Sequence, residues 1–301
     1  MAARPIAKSK MSDILATDVL IVGCGDLGLE VARLLLATKL KVLGVRRQAL
    51  DTEKFPIIAG DVTQPATLQQ LAQTQAKYLV YCVAASEQSD ENYQQIYVQG
   101  LKNTLAALAN NAQLQHVFFV SSTRMYGQVS DALLDESVVA EPNDFGGIRL
   151  LEAEQYLHQA AMASHQWKST ALRLTGIYGP GRMRMMQLAQ DLNRWPLHNT
   201  WTNRIHRDDA AAFIVFLMTQ LMAKKTLDEC YIVTDSCPVS MFEVLAWIAQ
   251  KSGLPAKEIQ PATSGKRMSN QRMLATGFKL QYPDYKKGYQ ALIDLPDIKC
   301  S

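Results

Sequence analysis

The sequence predicts an α/β protein with a doubly wound parallel sheet, and three observations lead to this prediction. Short apolar segments alternate with segments of helical periodicity through roughly the first 180 residues. A glycine-rich turn with the sequence GCGDLG, residues 23–28, directly follows the first apolar segment. The chain has 301 residues, 48% hydrophobic and 20% charged, so it can bury the core that such a sheet requires.

Strands are expected where apolar residues run together, and helices where they recur every three or four positions. We expect strands at 18–22, 40–46, 55–59, 77–83, 116–121 and 171–178. We expect helices directly after the first strand and over 90–110 and 149–163. Beyond Gly179 the regular alternation is lost, and we expect only a helix over 208–222, a strand over 230–233 and a helix over 241–250, with loops elsewhere.

The glycine-rich turn has the spacing G-x-G-x-x-G between a strand and a helix, which is typical of dinucleotide-binding folds. Gly23 permits the tight turn, Gly25 lets the backbone approach a pyrophosphate, and Gly28 lets the helix pack closely on the strand. The helix start, with Asp26 and Leu27, supplies free N–H groups for the phosphates. We therefore predict a nicotinamide dinucleotide at this turn, the alternative being a tight turn without a ligand.

Five more positions are predicted to belong to the cofactor site. The second strand ends in Arg46 and Arg47, where a fold that prefers NAD carries an acidic residue. Arginine suits the 2′-phosphate of NADP, although both side chains could simply be solvated. Asp61 and Val62 could bracket the adenine after the third strand, and Ala84 follows the fourth; Asp61 could equally be a turn residue. NADP is thus favoured over NAD.

Composition and charge exclude several classes of protein. The net charge of +3 is too small to indicate nucleic-acid binding. The five cysteines lack paired spacing, and neither they nor the histidines form a metal-ligand motif, so we expect no metal site and a reducing compartment. No apolar run approaches the ~20 residues of a membrane span. We therefore expect a cytoplasmic protein without membrane contact.

The chain is expected to have three parts. Residues 1–15 are basic at the start, lack the apolar core of a signal peptide, and are expected to form a disordered arm. Residues 16–180 form the predicted dinucleotide-binding domain. Residues 181–301 are mixed: about 206–235 returns to the sheet, and the remainder builds a small substrate-facing region.

Several further motifs follow one another along the chain. They are Gly60-Asp61-Val62, VSSTRMYG at 120–127, LRL at 172–174, YGPG at 178–181, HRDD at 206–209, Gly277-Phe278 and Tyr282-Pro283. Together with the glycine-rich turn they resemble the extended short-chain dehydrogenases/reductases, the NAD-dependent epimerase/dehydratase family, from about residue 18 to 290. The resemblance implies a nicotinamide cofactor and a small-molecule substrate.

In that family a Ser or Thr hydrogen-bonds the reacting oxygen, and a Tyr-x-x-x-Lys pair carries the proton chemistry. The resemblance assigns the first role to Ser122. The pair is altered here, because Phe145 stands at the tyrosine position and Arg149 at the lysine position. Phe145 cannot exchange a proton; Arg149 keeps a charge that could hold the cofactor ribose but cannot act as a base at neutral pH. This departure looks most like the atypical YeeZ-like branch of the family.

Other side chains could supply chemistry or bind the substrate. Tyr126 and Tyr178 lie near strand ends, where ligands bind in open α/β folds, though each could instead pack a loop. Thr123 follows the predicted catalytic serine. Arg182 could bind an anionic substrate such as a nucleotide-sugar phosphate, or could be a solvated arginine at a helix start. For His206 a structural turn is favoured over acid–base chemistry.

Two functions remain open at this point. The first is an atypical oxidoreductase or epimerase that transfers hydride to or from a sugar-like or nucleotide-sugar alcohol, with Ser122, Arg149 and Tyr126 as candidate catalytic residues. The second is a non-catalytic sensor or scaffold that binds the dinucleotide without turning over a substrate. A homodimer through the helices over 90–110 and 149–163 is implied by the resemblance alone.

Overall fold

The computed structural model describes residues 17–50, 54–128, 130, 132–255 and 259–295. The arm predicted at 1–15 lies outside the described residues. The strands are β1 (Val19–Val22), β2 (Val42–Arg46), β3 (Ile57–Ala59), β4 (Tyr78–Tyr81), β5 (His116–Ser122), β6 (Leu133–Leu134), β7 (Lys168–Leu174), β8 (Gly176–Tyr178), β9 (Thr200–Thr202), β10 (Arg204–His206), β11 (Cys230–Val233), β12 (Val239–Ser240), β13 (Ser264–Gly265) and β14 (Arg267–Met268).

The helices lie between and after these strands. They are α1 (Asp26–Leu36), α2 (Asp90–Tyr93), α3 (Gly100–Ala107), α4 (Phe145–Ser164), α5 (Arg184–Ala189), α6 (Arg207–Met222), α7 (Met241–Lys251), α8 (Gln271–Ala275) and α9 (Tyr285–Ile293). Short 3-10 helices span Pro65–Gln73, Thr123–Met125 and Leu192–Arg194. A π-helical segment, Gln94–Gln99, joins α2 to α3 and interrupts the helix expected over 90–110.

The main sheet has seven strands in the order β11-β7-β5-β4-β1-β2-β3, which confirms the predicted doubly wound parallel sheet. β1 pairs in parallel with both β2 and β4, so the chain leaves β1 at the point where the strand order reverses. Ligands bind outside the carboxyl ends of the strands at such a point. The order of the strands therefore places the glycine-rich turn where a ligand site is expected.

Helix α1 covers the sheet with one apolar face. Leu27, Val31 and Leu35 are buried and recur every four residues, which places them on the same side of the helix. All four residues of β1 are buried as well, as expected of a strand covered on both faces. This packing fixes the helix start directly beyond the end of β1.

Helix α4 begins earlier than the sequence periodicity predicted, at Phe145 and not at residue 149. Asp144 is its N-cap, and the Asp144 side chain accepts a hydrogen bond of 2.8 Å from the Gly147 nitrogen. The two consecutive glycines, Gly146 and Gly147, weaken the apolar pattern of the first turn, which is why the start was missed. Phe145 and Arg149 consequently both belong to the same helix.

The expected strand over 171–178 is in fact two strands, β7 and β8. The change occurs at Thr175, whose nitrogen donates to the Val233 oxygen at 3.2 Å, whereas the next nitrogen, of Gly176, donates to the Asn203 oxygen at 3.1 Å. β7 belongs to the main sheet, and β8 pairs with β10 in a separate two-stranded sheet. A continuous apolar run does not reveal such a change of partner.

The chain divides into two compact units. Unit 1 comprises 1–125, 142–172 and 211–230, and unit 2 comprises 126–141, 173–210 and 231–301. Unit 2 has a core of its own, formed by α5, α7, α9 and adjoining segments. The prediction of loops after residue 250 is wrong at α8 and α9, which are helices. In α9 the side chains of Tyr285, Tyr289 and Leu292 are buried on one face.

Candidate functional site

The glycine-rich turn in unit 1 connects β1 to α1. Gly23 has a φ of +95°, and a Cβ there would lie 2.5 Å from the Val83 nitrogen and 2.6 Å from the Cys82 carbonyl carbon. A side chain is therefore excluded both by the backbone conformation and by the chain that follows β4. A Cβ at Gly28 would lie 2.7 Å from the Gly23 oxygen, so this glycine allows the first turn of α1 to pack closely on the turn.

Gly25 differs from its two neighbours in the motif because the space beside it is open. A Cβ at Gly25 would meet no atom within 4 Å. Gly25 is the N-cap of α1, and no side chain caps this helix. Asp26 is exposed and Leu27 is buried, so the helix start is open on one side only. Uncapped N–H groups beside open space fit the phosphates of a dinucleotide.

The two arginines predicted to select NADP lie at the end of β2. Arg46 is half-buried and Arg47 is exposed. Within the described residues, neither guanidinium has a hydrogen-bond or ion-pair partner. Arg46 is close to the turn: burial raises the pKa of the Cys24 thiol to about 11, and the charge of Arg46 opposes that rise. A positive charge with no protein partner in this part of the chain therefore lies beside the glycine-rich turn.

Asp61 and Val62 stabilise the chain that follows β3. Asp61 Oδ1 accepts hydrogen bonds from the nitrogen and the hydroxyl of Thr63, at 2.9 and 2.8 Å. Val62 is buried, and its carbonyl oxygen accepts a bond of 2.7 Å from Asn103 in α3. The turn role of Asp61 is thus visible, while the contact of both residues with adenine stays a prediction.

Ala84 follows β4, and its neighbour Ala85 provides a hydrogen bond that links this segment to a helix. Ala85 donates its N–H to the Tyr97 hydroxyl at 3.4 Å. Tyr97 lies in the π-helical segment between α2 and α3, and π-helical turns inside helices are frequent at functional sites. Burial raises the pKa of Tyr97. Tyr97 was not among the residues predicted from the sequence, where an isolated tyrosine in a helical pattern gives no signal.

Ser122 is the last residue of β5 and is half-buried. Its Oγ accepts a hydrogen bond of 3.2 Å from the backbone nitrogen of Arg124. Among the described residues the Ser122 hydroxyl proton has no acceptor, so it is available to a ligand oxygen. Thr123, which opens the following 3-10 helix, is buried.

Phe145, at the position of the family tyrosine, contacts two side chains of unit 1. Its ring meets the Tyr93 ring edge to face, with centroids 5.4 Å apart and an angle of 88°. The guanidinium carbon of Arg124 lies 4.9 Å from the Phe145 centroid and 5.0 Å from that of Tyr93. An arginine therefore lies beside the residue that lacks the hydroxyl, a feature that the sequence analysis did not find.

Arg149, at the position of the family lysine, is engaged by carboxylates. Its Nε and Nη2 donate to the two oxygens of Asp90 at 2.7 and 2.9 Å, and Nη1 donates to Glu152 at 2.9 Å. The hydrogen bond to Arg149 lowers the pKa of Asp90. A cofactor ribose that bound Arg149 would therefore compete with these two carboxylates for the guanidinium.

In unit 2, Tyr126 is fully buried and its hydroxyl is engaged. The hydroxyl accepts a hydrogen bond of 2.5 Å from Arg173 Nη1, and the Arg173 guanidinium lies 5.3 Å from the ring centroid. Lys266 Nζ donates to the backbone oxygen of Tyr126. Because Tyr126 is fully buried, the catalytic role predicted for it would require its hydroxyl to become accessible to a substrate.

Tyr178 is also buried in unit 2. Its ring lies 4.5 Å from that of Tyr289 and 5.2 Å from that of His206, centroid to centroid. The Tyr178 hydroxyl lies against Gly288, since a Cβ at Gly288 would be only 1.8 Å from the hydroxyl oxygen. The hydroxyl has no hydrogen-bond partner in the described chain. Burial raises the pKa of Tyr178. The hydroxyl that was predicted to contact the substrate thus lies inside the core of unit 2.

Arg182 and the 206–209 segment differ in exposure. Arg182 is exposed, and its backbone N–H donates a hydrogen bond of 2.9 Å to the Gly179 oxygen, which closes a turn. His206 is buried, with its ring 3.9 Å from that of Tyr282. The Asp209 carboxylate accepts two backbone hydrogen bonds of 2.8 Å, from Gln281 and Tyr282. These bonds give Asp209 a structural role, while the substrate contact of Arg182 stays a prediction.

Unit 2 contains a buried arginine, Arg204, and a buried aspartate, Asp235, and the sequence analysis did not identify the aspartate. Arg204 Nη2 donates to Thr202 at 2.6 Å, and Asp235 Oδ1 accepts from the Cys237 nitrogen at 3.1 Å. Arg204 Nη1 and Asp235 Oδ2 are buried and have no partner in the described part of the chain. Burial raises the pKa of Asp235 to about 7, against the attraction of Arg204.

Neither a metal-binding cluster nor a membrane-spanning helix is found among the described residues. These residues contain no group of three or more His, Cys, Asp or Glu side chains placed to hold a metal ion. No helix among them is both long and apolar enough to cross a membrane.

The comparisons with known proteins agree with the geometry of the turn. The family model described as "NAD dependent epimerase/dehydratase family" matches residues 19–229. No curated protein matches the chain in sequence. A candidate NAD-dependent epimerase/dehydratase from Methylobacillus flagellatus is 46% identical, with a TM-score of 0.83 over 92% of this chain and 98% of that chain.

Two more distant structures share the fold. A UDP-glucose 4-epimerase from Thermus thermophilus, solved with NAD, is 17% identical, with a TM-score of 0.75 over 92% of this chain and 98% of its own. MoeE5, solved with UDP-glucuronic acid and NAD, is 21% identical, with a TM-score of 0.72 over 91% and 96% of the two chains. From the matched family model and the 46% identical relative, we conclude that this chain belongs to the NAD-dependent epimerase/dehydratase family.

Proposed function

We propose that this protein is a nicotinamide-dinucleotide-dependent oxidoreductase or epimerase that acts on a sugar-like or nucleotide-sugar alcohol. The observation that carries the proposal is the uncommitted Ser122 hydroxyl at the carboxyl end of β5. The carboxyl ends of the parallel strands are where this type of sheet binds ligands. The UDP-glucuronic acid bound in the distant MoeE5 structure supports a nucleotide sugar as substrate.

The cofactor would be held by the glycine-rich turn and the start of α1. Residues assigned to it are Gly23, Gly25, Asp26, Leu27, Gly28, Arg46, Arg47, Asp61, Val62, Ala84 and Arg149. When bound, a nicotinamide dinucleotide supplies a hydride acceptor or donor. In this proposal Ser122 donates a hydrogen bond to the substrate oxygen, and Thr123, Tyr126, Tyr178 and Arg182 complete the candidate substrate and catalytic residues.

We propose NADP as the preferred dinucleotide because Arg46 and Arg47 have no protein partner in the described chain. Arg46→Ala should weaken NADP binding about tenfold and change NAD binding little, since only NADP carries the 2′-phosphate. Lys41→Ala, which removes an exposed charge just before β2, is the matched control and should change neither. Equal affinities of the wild-type protein for NAD and NADP would contradict the preference.

Catalysis can be tested with a panel of sugars and nucleotide sugars and both dinucleotides. Ser122→Ala should reduce turnover by about a hundredfold or more, because the hydroxyl donates to the reacting oxygen. Ser121→Ala is the control: the Ser121 Oγ is buried and unpartnered within the described residues, so its removal should leave turnover unchanged. Turnover that persists in Ser122→Ala would refute the role of this serine.

The second candidate function is a non-catalytic dinucleotide sensor or scaffold. It is favoured by Phe145, which has no hydroxyl, and by Arg149, whose guanidinium is engaged by Asp90 and Glu152. This function predicts cofactor binding in the micromolar range without turnover of any substrate in the panel. A reductase activity that appears only in Phe145→Tyr would support it, whereas turnover by the wild-type protein would exclude it.

Two assignments follow from the resemblance and are proposed with it. The altered pair Phe145 and Arg149 suggests the YeeZ-like branch of the family. The helical segment over 90–110, which includes α2 and α3, and helix α4 would form a homodimer interface. Helix α4 carries two exposed apolar side chains, Ile148 and Met162, that an interface could cover. The molar mass in solution, measured by light scattering, tests the dimer.

A further inference from the structure

The Arg124 guanidinium in unit 1 is fixed by hydrogen bonds on two of its three nitrogens. Nε lies 3.0 Å from both oxygens of Asp144, the N-cap of α4. Nη1 donates to Gln88 Oε1 and to the Tyr93 hydroxyl, each at 2.8 Å. The rings of Tyr93 and Phe145 also contact the cation. Such a side chain keeps one orientation and loses little entropy when it binds a further group.

The start of α4 is shaped to accept this guanidinium. A Cβ at Gly146 would lie 2.4 Å from Arg124 Cζ and 2.5 Å from its Nε, so only glycine allows the guanidinium to lie against the helix. Gly146 directly follows Phe145, the residue at the family tyrosine position. The missing hydroxyl and the close approach of Arg124 therefore occur at adjacent positions.

The third nitrogen of the guanidinium, Nη2, is available. It has no hydrogen-bond partner in the described residues, and the Arg124 side chain is 29% exposed. The Ser122 hydroxyl, which accepts the Arg124 backbone N–H, likewise has a proton without an acceptor in this part of the chain. Two unused hydrogen-bond donors, one neutral and one cationic, thus lie on one short turn, two residues apart.

We infer that Arg124 binds a carboxylate of the substrate through Nη2, and that the substrate is a hydroxy acid such as a uronic acid. This inference rests on the proposed function, because in both Ser122 binds the reacting hydroxyl group of the substrate. In a uronic acid the carboxylate and hydroxyl groups belong to one small molecule, which suits two donors on one turn. A carboxylate is favoured because a guanidinium only donates and forms its strongest hydrogen bonds with anionic oxygens.

The binding test compares D-glucuronate with D-glucose, which differ in the charge of one group. Both are titrated into the full-length protein saturated with NADP, and side-chain N–H signals are followed by NMR after ¹⁵N-arginine labelling. The Arg124 signals are assigned by their absence in Arg124→Lys. We expect glucuronate to bind at least about tenfold more tightly than glucose and to shift the Arg124 signals saturably.

Two variants and a control define the outcome. Arg124→Met should remove the preference for glucuronate without changing glucose binding, and Arg124→Lys, which keeps the charge but not the planar fork, should keep part of it. Lys41→Met, the control, should keep the full preference for glucuronate. Equal binding of the two sugars by the wild-type protein, no binding of either, or an unchanged preference in Arg124→Met would each overturn the inference.

The readout separates this inference from the proposed function. A preference for glucuronate that depends on Arg124, in a protein without turnover, would keep the carboxylate site and reject the enzyme. Turnover that depends on Ser122, together with equal binding of glucuronate and glucose, would keep the enzyme and reject the carboxylate site.

Discussion

Replacing Asp235 by Asn should remove a pH dependence from the stability of the protein. Asp235 is buried in unit 2, its Oδ2 has no partner among the described residues, and its Oδ1 accepts the Cys237 N–H. The charges that act on it are the attractive Arg204 and the repulsive Asp284 and Asp209. Asn keeps the shape and the Oδ1 acceptor, so it resembles the protonated carboxyl at every pH.

The sign and size of the effect follow from the pKa of Asp235. Burial raises it from 3.8 to about 7, so the folded state holds a proton that the unfolded state has released. The stability of the wild-type protein should therefore fall as the pH rises from about 4 to 7 and then stay at the lower level. A difference of about three pH units, at 1.36 kcal/mol each, gives a loss of about 4 kcal/mol at most.

The assay is urea unfolding of the wild-type protein and Asp235→Asn at pH values from 4.5 to 8.5. The stability of Asp235→Asn relative to wild type should increase across this range by an amount approaching that limit. Asp294→Asn, a change at an exposed carboxylate, is the control and should show no such increase. If the difference between wild type and Asp235→Asn changes by less than about 1 kcal/mol, Asp235 ionises like an exposed carboxylate and the reasoning fails.

Three further predictions concern packing and hydrogen bonding. Gly23→Ala should lower the melting temperature by about 5 °C or more, because Gly23 has a positive φ and a Cβ there would contact Val83. Gly25→Ala should leave the melting temperature unchanged, because the space beside Gly25 is open. The new methyl group should instead weaken cofactor binding, because it would occupy that space. Gly288→Ala should destabilise the protein in thermal scans, and Tyr178→Phe should relieve only part of the loss, because the new Cβ would still lie 2.6 Å from the ring carbon Cζ. Asp209→Asn should cost about 1–3 kcal/mol in urea unfolding, since the new amide group can accept only one of the two backbone N–H bonds; an unchanged stability would show that these bonds contribute nothing.

Most of the main sheet could be predicted from the sequence because its strands are buried on both faces and read as apolar runs. β1, β5 and β11 appear within a residue or two of their expected bounds. Helix α9 could not be found in this way, since its buried face consists of Tyr285, Tyr289 and Leu292 between lysines and a glycine. Its formation depends on the core of unit 2 more than on a local pattern.

The candidate site was predictable only where function constrains the backbone. The glycine-rich turn was found because each of its three glycines is required for a separate steric reason. Two of these reasons are visible in the structure, as the close contacts that a Cβ would make at Gly23 and at Gly28. Arg124 was not found because the resemblance assigns no role to its position within the segment VSSTRMYG. A signal was nevertheless present: two consecutive glycines at a helix start, Gly146 and Gly147, are poor helix formers and indicate the close approach of another group.

The surroundings of Phe145 argue that its missing hydroxyl is part of a larger change. The Arg124 guanidinium lies against the Phe145 ring, and glycine at 146 is what allows it to do so. Arg149, in place of the family lysine, is bonded to Asp90 through two nitrogens. Phe145→Tyr alone would therefore restore a phenol without restoring the cation that accompanies it in the family. If activity requires the family pair, Phe145→Tyr should stay inactive until Arg149→Lys is added; if Ser122 supports turnover without that pair, neither change should be needed.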